Sequence, residues 1–228
     1  MRLKSLGLAG TNLTDFTIIK GMPLEKLNIR SANFSDMSLL DGMPLLSLTL
    51  ELSPVRDLGF LKGRPLVGLI LDGTQIRDLS ALHNMPLKWL LLPGTPATDF
   101  GVLRSMPLQT LVLNDSAIVD LQVLQGKSVL TLQLARTAVS DLNPLRGMPL
   151  TRLNLDGCKN LHDLTPLGDC KDLQILVIPE QCREIEFLRR LPKLMQLGWQ
   201  IPTSGDWTRV PSAEQFWKEY DAKKKPQP

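Results

Sequence analysis

Residues 65–85 read P-L-V-G-L-I-L-D-G-T-Q-I-R-D-L-S-A-L-H-N-M, and residues 86–106 repeat the frame as P-L-K-W-L-L-L-P-G-T-P-A-T-D-F-G-V-L-R-S-M. Outward from this pair, Leu3, Leu24, Leu45, Leu66, Leu87, Leu108, Val129 and Leu150 recur at a constant step of 21; a step of 23 reaches Leu173 and another 21 reaches Leu194. From each of these the chain runs L-x-x-L-x-L or close to it, and in most repeats continues T-x-I-x-D-L-x-x-L-x-G-M-P. The alternating x-L-x-L-x predicts a short strand with one buried face. The D-L-x-x-L stretch, with apolar residues three apart, predicts one turn of 3₁₀ or α helix. A unit this short cannot bury its own apolar face, so the units must stack and share one core.

Two rows of polar residues keep the same register. Asp15, Asp36, Asp57, Asp78, Asp99, Asp120, Asp141 and Asp163 each precede the turn, with Glu184 in the ninth repeat. A carboxylate there accepts the free N–H groups at the turn's start and complements its dipole. A calcium reading fails because each Asp stands alone, with no oxygen-rich loop beside it. Thr11, Ser53, Thr74, Thr95, Ser116, Thr137 and Cys158, with Ala32 as an exception, mark where the chain leaves the strand. Hydroxyls there are expected to bond backbone groups that the turn leaves unpaired. The M-P-L unit ends one repeat and opens the next strand, with Pro23, Pro44, Pro65, Pro86, Pro107 and Pro149 ending the preceding turn, and Gly21, Gly42, Gly63, Gly126 and Gly147 supply permissive backbone two residues earlier.

Composition narrows the functions. The 228 residues carry 26 Lys+Arg against 23 Asp+Glu, a net charge of +3, with no basic stripe or aromatic interleaving, so nucleic acid is not an expected partner. Two His and one Tyr leave few groups that titrate near neutrality, which argues against acid–base catalysis. His83 and the His162-Asp163 pair have no nucleophile in a plausible triad. Cys158, Cys170 and Cys182 are odd in number and match no zinc spacing, so no metal, cofactor or disulfide framework is expected. The thiols favour a reducing compartment, and no apolar run is long enough to span a membrane, so a cytoplasmic location is the expectation.

At L-x-x-L-x-L-x-x-T-x-I-x-D-L-x-x-L the sequence resembles leucine-rich repeat proteins, and its I-x-D-L-x-x-L half resembles the short bacterial repeats of internalins. The likeness covers residues 1–200. The ladder residue is mostly Thr or Ser where that family carries Asn, so internalin adhesion functions are not carried over. The G-M-P-L connections, D-C-K-D-L-Q-I-L-V-I-P (169–179) and A-E-Q-F-W-K-E-Y-D-A (213–222) are similar to leucine-rich repeat regions of planctomycete-like bacteria, some attached behind Ser/Thr protein kinases. The chain itself carries no H-R-D, D-F-G or G-x-G-x-x-G.

The expected fold is therefore an α/β repeat: a right-handed leucine-rich repeat solenoid of about ten coils over residues 1–200. Parallel strands would line its concave face and short 3₁₀ or helical turns its convex face. Residues 201–228 are expected to form a C-terminal cap, with a helix at about 212–223 started by the capping box Ser212–Gln215, and a basic tail. Met1-Arg2-Leu3 starts inside the register, leaving Leu3, Leu6 and Leu8 at an open end. The expectation is a piece of a longer protein, the alternative that another chain covers that face.

Outward strand positions supply the candidate site. Ten strands at about 4.8 Å spacing offer a face of roughly 43 Å, the scale of a protein partner. Ile70, Leu91 and Val112 fall on three successive repeats, with Trp89 beside them, and Arg30, Glu51 and Asp72 form a mixed-charge margin. A Trp among aliphatics with a polar rim has the composition of a binding hot spot; the alternative is that sheet propensity placed β-branched residues there, with Trp89 flat over a neighbour. The expected function is a non-enzymatic protein-interaction module, the alternative a sensory or substrate-recruiting region of a larger enzyme such as a kinase. Self-association through the open end or the apolar patch is a further expectation.

Overall fold

In the computed structural model, which describes residues 3–11, 13–30, 34–201 and 206–224, every repeat supplies one three-residue strand. These are β1 (Ser5–Gly7), β2 (Lys26–Asn28), β3 (Ser47–Thr49), β4 (Gly68–Ile70), β5 (Trp89–Leu91), β6 (Thr110–Val112), β7 (Thr131–Gln133), β8 (Arg152–Asn154), β9 (Ile175–Val177) and β10 (Gln196–Gly198). They follow one another in chain order in one parallel sheet. Short 3₁₀ turns such as Ser80–Leu82 and Thr165–Asp169 separate them, and one α-helix among the described residues, α1 (Ala213–Lys224), follows the last strand. This is a leucine-rich repeat solenoid. The expectations for Met1-Arg2, Ala32 and the tail from Lys225 lie outside the described residues.

The chain divides into two compact units, residues 1–117 and 118–228. In the first, the strands pair without slippage at the 21-residue step, Gly68 with Trp89 and Ile70 with Leu91. Leu48, Leu69, Leu90 and Leu111, the middle residues of β3 to β6, are fully buried. In the second unit Leu132, Leu153, Leu176 and Leu197 do the same. Burying each such leucine contributes roughly 1.5–3 kcal/mol, shared between adjacent coils. The regular strand begins three residues after its proline (Pro65 before β4) rather than on it, because Val67 and Gly68 both donate their N–H to the Leu46 carbonyl before the ladder becomes regular. The first coil lacks the shielding of the others: Leu3 is 52% exposed, and Leu6 and Leu8 are half-buried.

The two polar rows do what their chemistry suggests, with exceptions. Each of the eight Asp carboxylates accepts the N–H two residues on, from Thr17 at 2.8 Å for Asp15 to Thr165 at 2.8 Å for Asp163. Thr74 and Thr137 donate their hydroxyls to the Leu71 and Leu134 carbonyls, both at 2.7 Å, and Cys158 fills its slot by donating to Leu134 O at 3.1 Å. The shorter Ser53 and Ser116 are buried with hydroxyls that reach no partner among the described residues. In the ninth repeat Gln181 serves instead, its Nε2 donating to the carbonyls of Cys158 (2.7 Å) and Leu161 (2.9 Å).

Candidate functional site

On the first unit, β4 and β5 bring most of the expected site together. Gly68 has no side chain, and the Trp89 ring of the next strand lies flat across its backbone. A Cβ at Gly68 would stand 1.8 Å from Cζ2 of Trp89 and 2.0 Å from its Cε2. One ring face is thus spent on the sheet and the other is left outward. Ile70 and Leu91, paired across the strands, are half-buried rather than fully exposed. Val112 departs from expectation: only 8% of its surface is exposed. A short β-branched side chain beside the larger Leu91, about 4.8 Å away on the neighbouring strand, has little room to reach solvent. The apolar patch is therefore narrower than the sequence suggests, comprising Trp89, Ile70 and Leu91. Gly68, whose bareness sets the Trp89 orientation, was not foreseen.

The charged margin resolves into a pair and a remainder. Arg30 Nη2 lies 3.0 Å from Glu51 Oε1, a partly exposed ion pair worth well under about 1 kcal/mol. Asp72 is half-buried at the end of β4 and has no ion-pair partner among the described residues. Burial raises its pKa above the ordinary carboxyl value; the Arg30 charge and the Gly73 N–H pull it back only in part, and Asp115 adds to the rise.

The second unit treats its outward residues differently. Ile175 and Val177 occupy the same two outward positions of β9 that Trp89 and Leu91 occupy on β5, yet Val177 is fully buried and Ile175 nearly so. The chain covers them itself: Val210 packs on this pair, with Ile201 and Trp207 against the same cluster. Gln196 ties the covering segment down, its Nε2 donating to Val210 O at 2.7 Å, and the Leu197 N–H donates to Pro211 O at 3.1 Å. Gly198 leaves room for the approach, since a Cβ there would stand 3.3 Å from both Val210 and Pro211. An antiparallel bridge between Gln196 and Ser212 continues onto the β10 edge. This segment carries no repeat, and its role was invisible to the period.

The helix α1 closes the same unit. Ser212 Oγ accepts the Gln215 N–H at 3.1 Å, half of the expected capping box; the Gln215 side chain turns to Glu219 instead. Arg189 lies 3.9 Å from the Trp217 ring centroid and 2.6 Å from Asp221, while the Tyr220 hydroxyl donates to Arg183 O at 2.8 Å. Trp199, Phe216 and Tyr220 line a cleft of about 410 Å³ with Arg183, Lys223 and Glu219 at its rim. The three thiols are buried, and burial raises their pKa, that of Cys182 to about 11, so they stay protonated and are poor nucleophiles near neutrality. His83 and His162 are both exposed; among the described residues no three His, Cys, Asp or Glu side chains are placed to hold a metal ion. Among the described residues no helix is long and apolar enough to cross a membrane.

No family model matches the sequence, and no curated protein is significantly similar to it. Solved structures are. The internalin InlF of Listeria monocytogenes is 19% identical over 83% of this chain and 72% of its own, with a TM-score of 0.59. Internalin C2 of the same organism is 26% identical over 75% of this chain and 79% of its own, with a TM-score of 0.58. The functional domain of its InlJ, described as including a cysteine ladder, is 17% identical over 86% of this chain and 53% of that one, with a TM-score of 0.54. These likenesses agree with the leucine-rich repeat fold. They show neither a planctomycete origin nor a kinase context.

Proposed function

We propose that this protein is a non-enzymatic interaction module that binds a protein partner through the strand face at β4 and β5, around Trp89, Ile70 and Leu91. The observation that carries this reading is the contrast between β5 and β9. Outward apolar residues on β9 are buried under the chain's own segment, whereas Trp89, Ile70 and Leu91 stay half-exposed. Apolar groups kept at a water-facing position commonly mark an interaction surface. A large ring held flat on rigid backbone loses little freedom on binding, and that favours affinity. The internalin-like fold supports a protein partner as the class. The face is built on strands pinned at both ends by the ladder, so recognition proceeds with little backbone change.

The test is affinity capture from the native lysate, comparing the wild type with a variant carrying Ile70→Lys, Trp89→Ala and Leu91→Lys, after circular dichroism has shown that both fold. A protein held by the wild type and lost by the variant supports the reading. Identical captures place the binding surface elsewhere, with the cleft beside α1 the next surface to mutate.

A further inference from the structure

Coils four and five share a pattern with coils eight and nine that no other pair of adjacent coils repeats. Residues 69–73 read L-I-L-D-G and residues 153–157 read L-N-L-D-G, 84 residues or four coils later. The strand that follows reads W-L-L-L-P (89–93) in one case and I-L-V-I-P (175–179) in the other. Each pair thus sets an Asp at the end of one strand, a Pro at the end of the next, and two outward apolar side chains beneath that Pro. The registers agree: Ile70 stands opposite Leu91 and Asn154 opposite Val177.

In the second unit this surface holds an occupant. Ile201, Trp207 and Val210 cover Ile175 and Val177, and the Ile201 N–H approaches the Asp156 carboxylate closely enough to draw its pKa down against the effect of burial. The occupant is Ile201 together with residues 206–210 and their 3₁₀ turn Trp207–Arg209, which supply apolar side chains to one strand and a backbone donor to the Asp of its neighbour. The first unit offers the same acceptor and a larger apolar floor, with Asp72 half-buried and without an ion pair among the described residues. A carboxylate in that setting gains from a donor that displaces its remaining water.

Resting on the function proposed above, we infer that the β4–β5 face takes a short apolar turn of a partner protein, seated as Ile201, Trp207 and Val210 are seated on β9. An aliphatic or aromatic side chain of that turn packs on Trp89 and Leu91, and one of its backbone N–H groups donates to Asp72. The glycine under Trp89 keeps the platform low enough for a backbone to pass over it.

A library of random linear 12-residue peptides displayed on phage, selected on the full chain, tests this. Enriched peptides are expected to carry at least two apolar residues and to bind Trp89→Ala at least tenfold more weakly. Asp72→Ala is expected to weaken them by about tenfold, the scale of a lost hydrogen bond to a charged group, while Asp156→Ala, in the occupied copy, leaves them unchanged. Methylating the peptide backbone nitrogens one at a time should find one position that costs affinity on the wild type and nothing further on Asp72→Ala. If Trp89→Ala weakens binding while Asp72→Ala and every methylation are silent, the surface stands and the seating inferred here is overturned. If Trp89→Ala is also silent, the proposed interaction surface falls with it. A library that yields no binder overturns the inference, leaving lysate capture to decide the surface itself.

Discussion

The outward faces of β5 and β9 both carry apolar residues at the same two positions, Trp89 and Leu91 against Ile175 and Val177, and end differently. On β9 the pair Ile175 and Val177 lies under Val210, Ile201 and Trp207; on β5 the pair Trp89 and Leu91 remains half-exposed. An apolar residue at a water-facing strand position therefore does not by itself tell whether the chain's own segment covers it. In the second unit the chain itself is the cover, and the face contributes to stability. In the first, we propose that a partner covers the face, which then contributes to recognition. The two should respond to mutation in opposite ways.

The largest contrast is expected from a buried charge. Val177→Asp places a carboxylate under Val210 and Trp207 and should lower unfolding stability by at least about 3 kcal/mol. Leu91→Asp, at the matching site, should cost under about 1 kcal/mol while abolishing partner capture. Urea denaturation of both variants reads the difference, and equal losses would mean that the β5 face is structurally occupied too. Next in size, Trp207→Ala should cost about 2 kcal/mol by uncovering Ile175 and Val177, with Trp89→Ala well below it.

Smaller, and more diagnostic, is Gly68→Val. A Cβ within 2 Å of the Trp89 ring forces the indole off the sheet. The near-ultraviolet circular dichroism and tryptophan emission should change and binding should fall, while the far-ultraviolet spectrum stays as it is. An unchanged tryptophan signal would contradict the flat stacking.

The smallest effect is one of pH. Burial raises the Asp72 pKa in the folded chain above its unfolded value, so ionisation of this group disfavours the fold. Its contribution is unfavourable above the raised pKa and vanishes as pH falls below the ordinary carboxyl value. Asp72→Asn should be slightly more stable than the wild type at pH 7, with the gap closing toward pH 3. A less stable Asp72→Asn at pH 7 would mean that the carboxylate supports the fold rather than awaiting a donor.

Much of this was legible in residue order. The register of 21, with its one step of 23, placed all ten strands, the Asp row placed the turns, and Ser212 placed the start of α1 to within a residue, because each rests on interactions local to one coil or between neighbours. Three features were not. Val112 is an outward residue by alternation, but its exposure is decided by the bulk of Leu91 beside it. Trp207 and Val210 belong to an aperiodic segment whose docking on β9 depends on a chain reversal that carries no sequence signature. The platform role of Gly68 appears only when the Trp89 ring is seen across it, since a glycine in a strand reads first as a weakness. Ser53 and Ser116 teach a smaller lesson: a ladder side chain satisfies the backbone where Thr74, Thr137, Cys158 or a reaching Gln181 brings a donor into range, and a serine hydroxyl falls short.

The decisive experiment is hydroxyl-radical footprinting of the full chain, alone and saturated with the protein captured from lysate. Trp89, Ile70 and Leu91 should oxidise readily in the free chain and be protected in the complex, with Ile175 and Val177 slow in both. Protection confined to Trp199, Tyr220 and the cleft beside α1, with Trp89 oxidising at an unchanged rate, would contradict it.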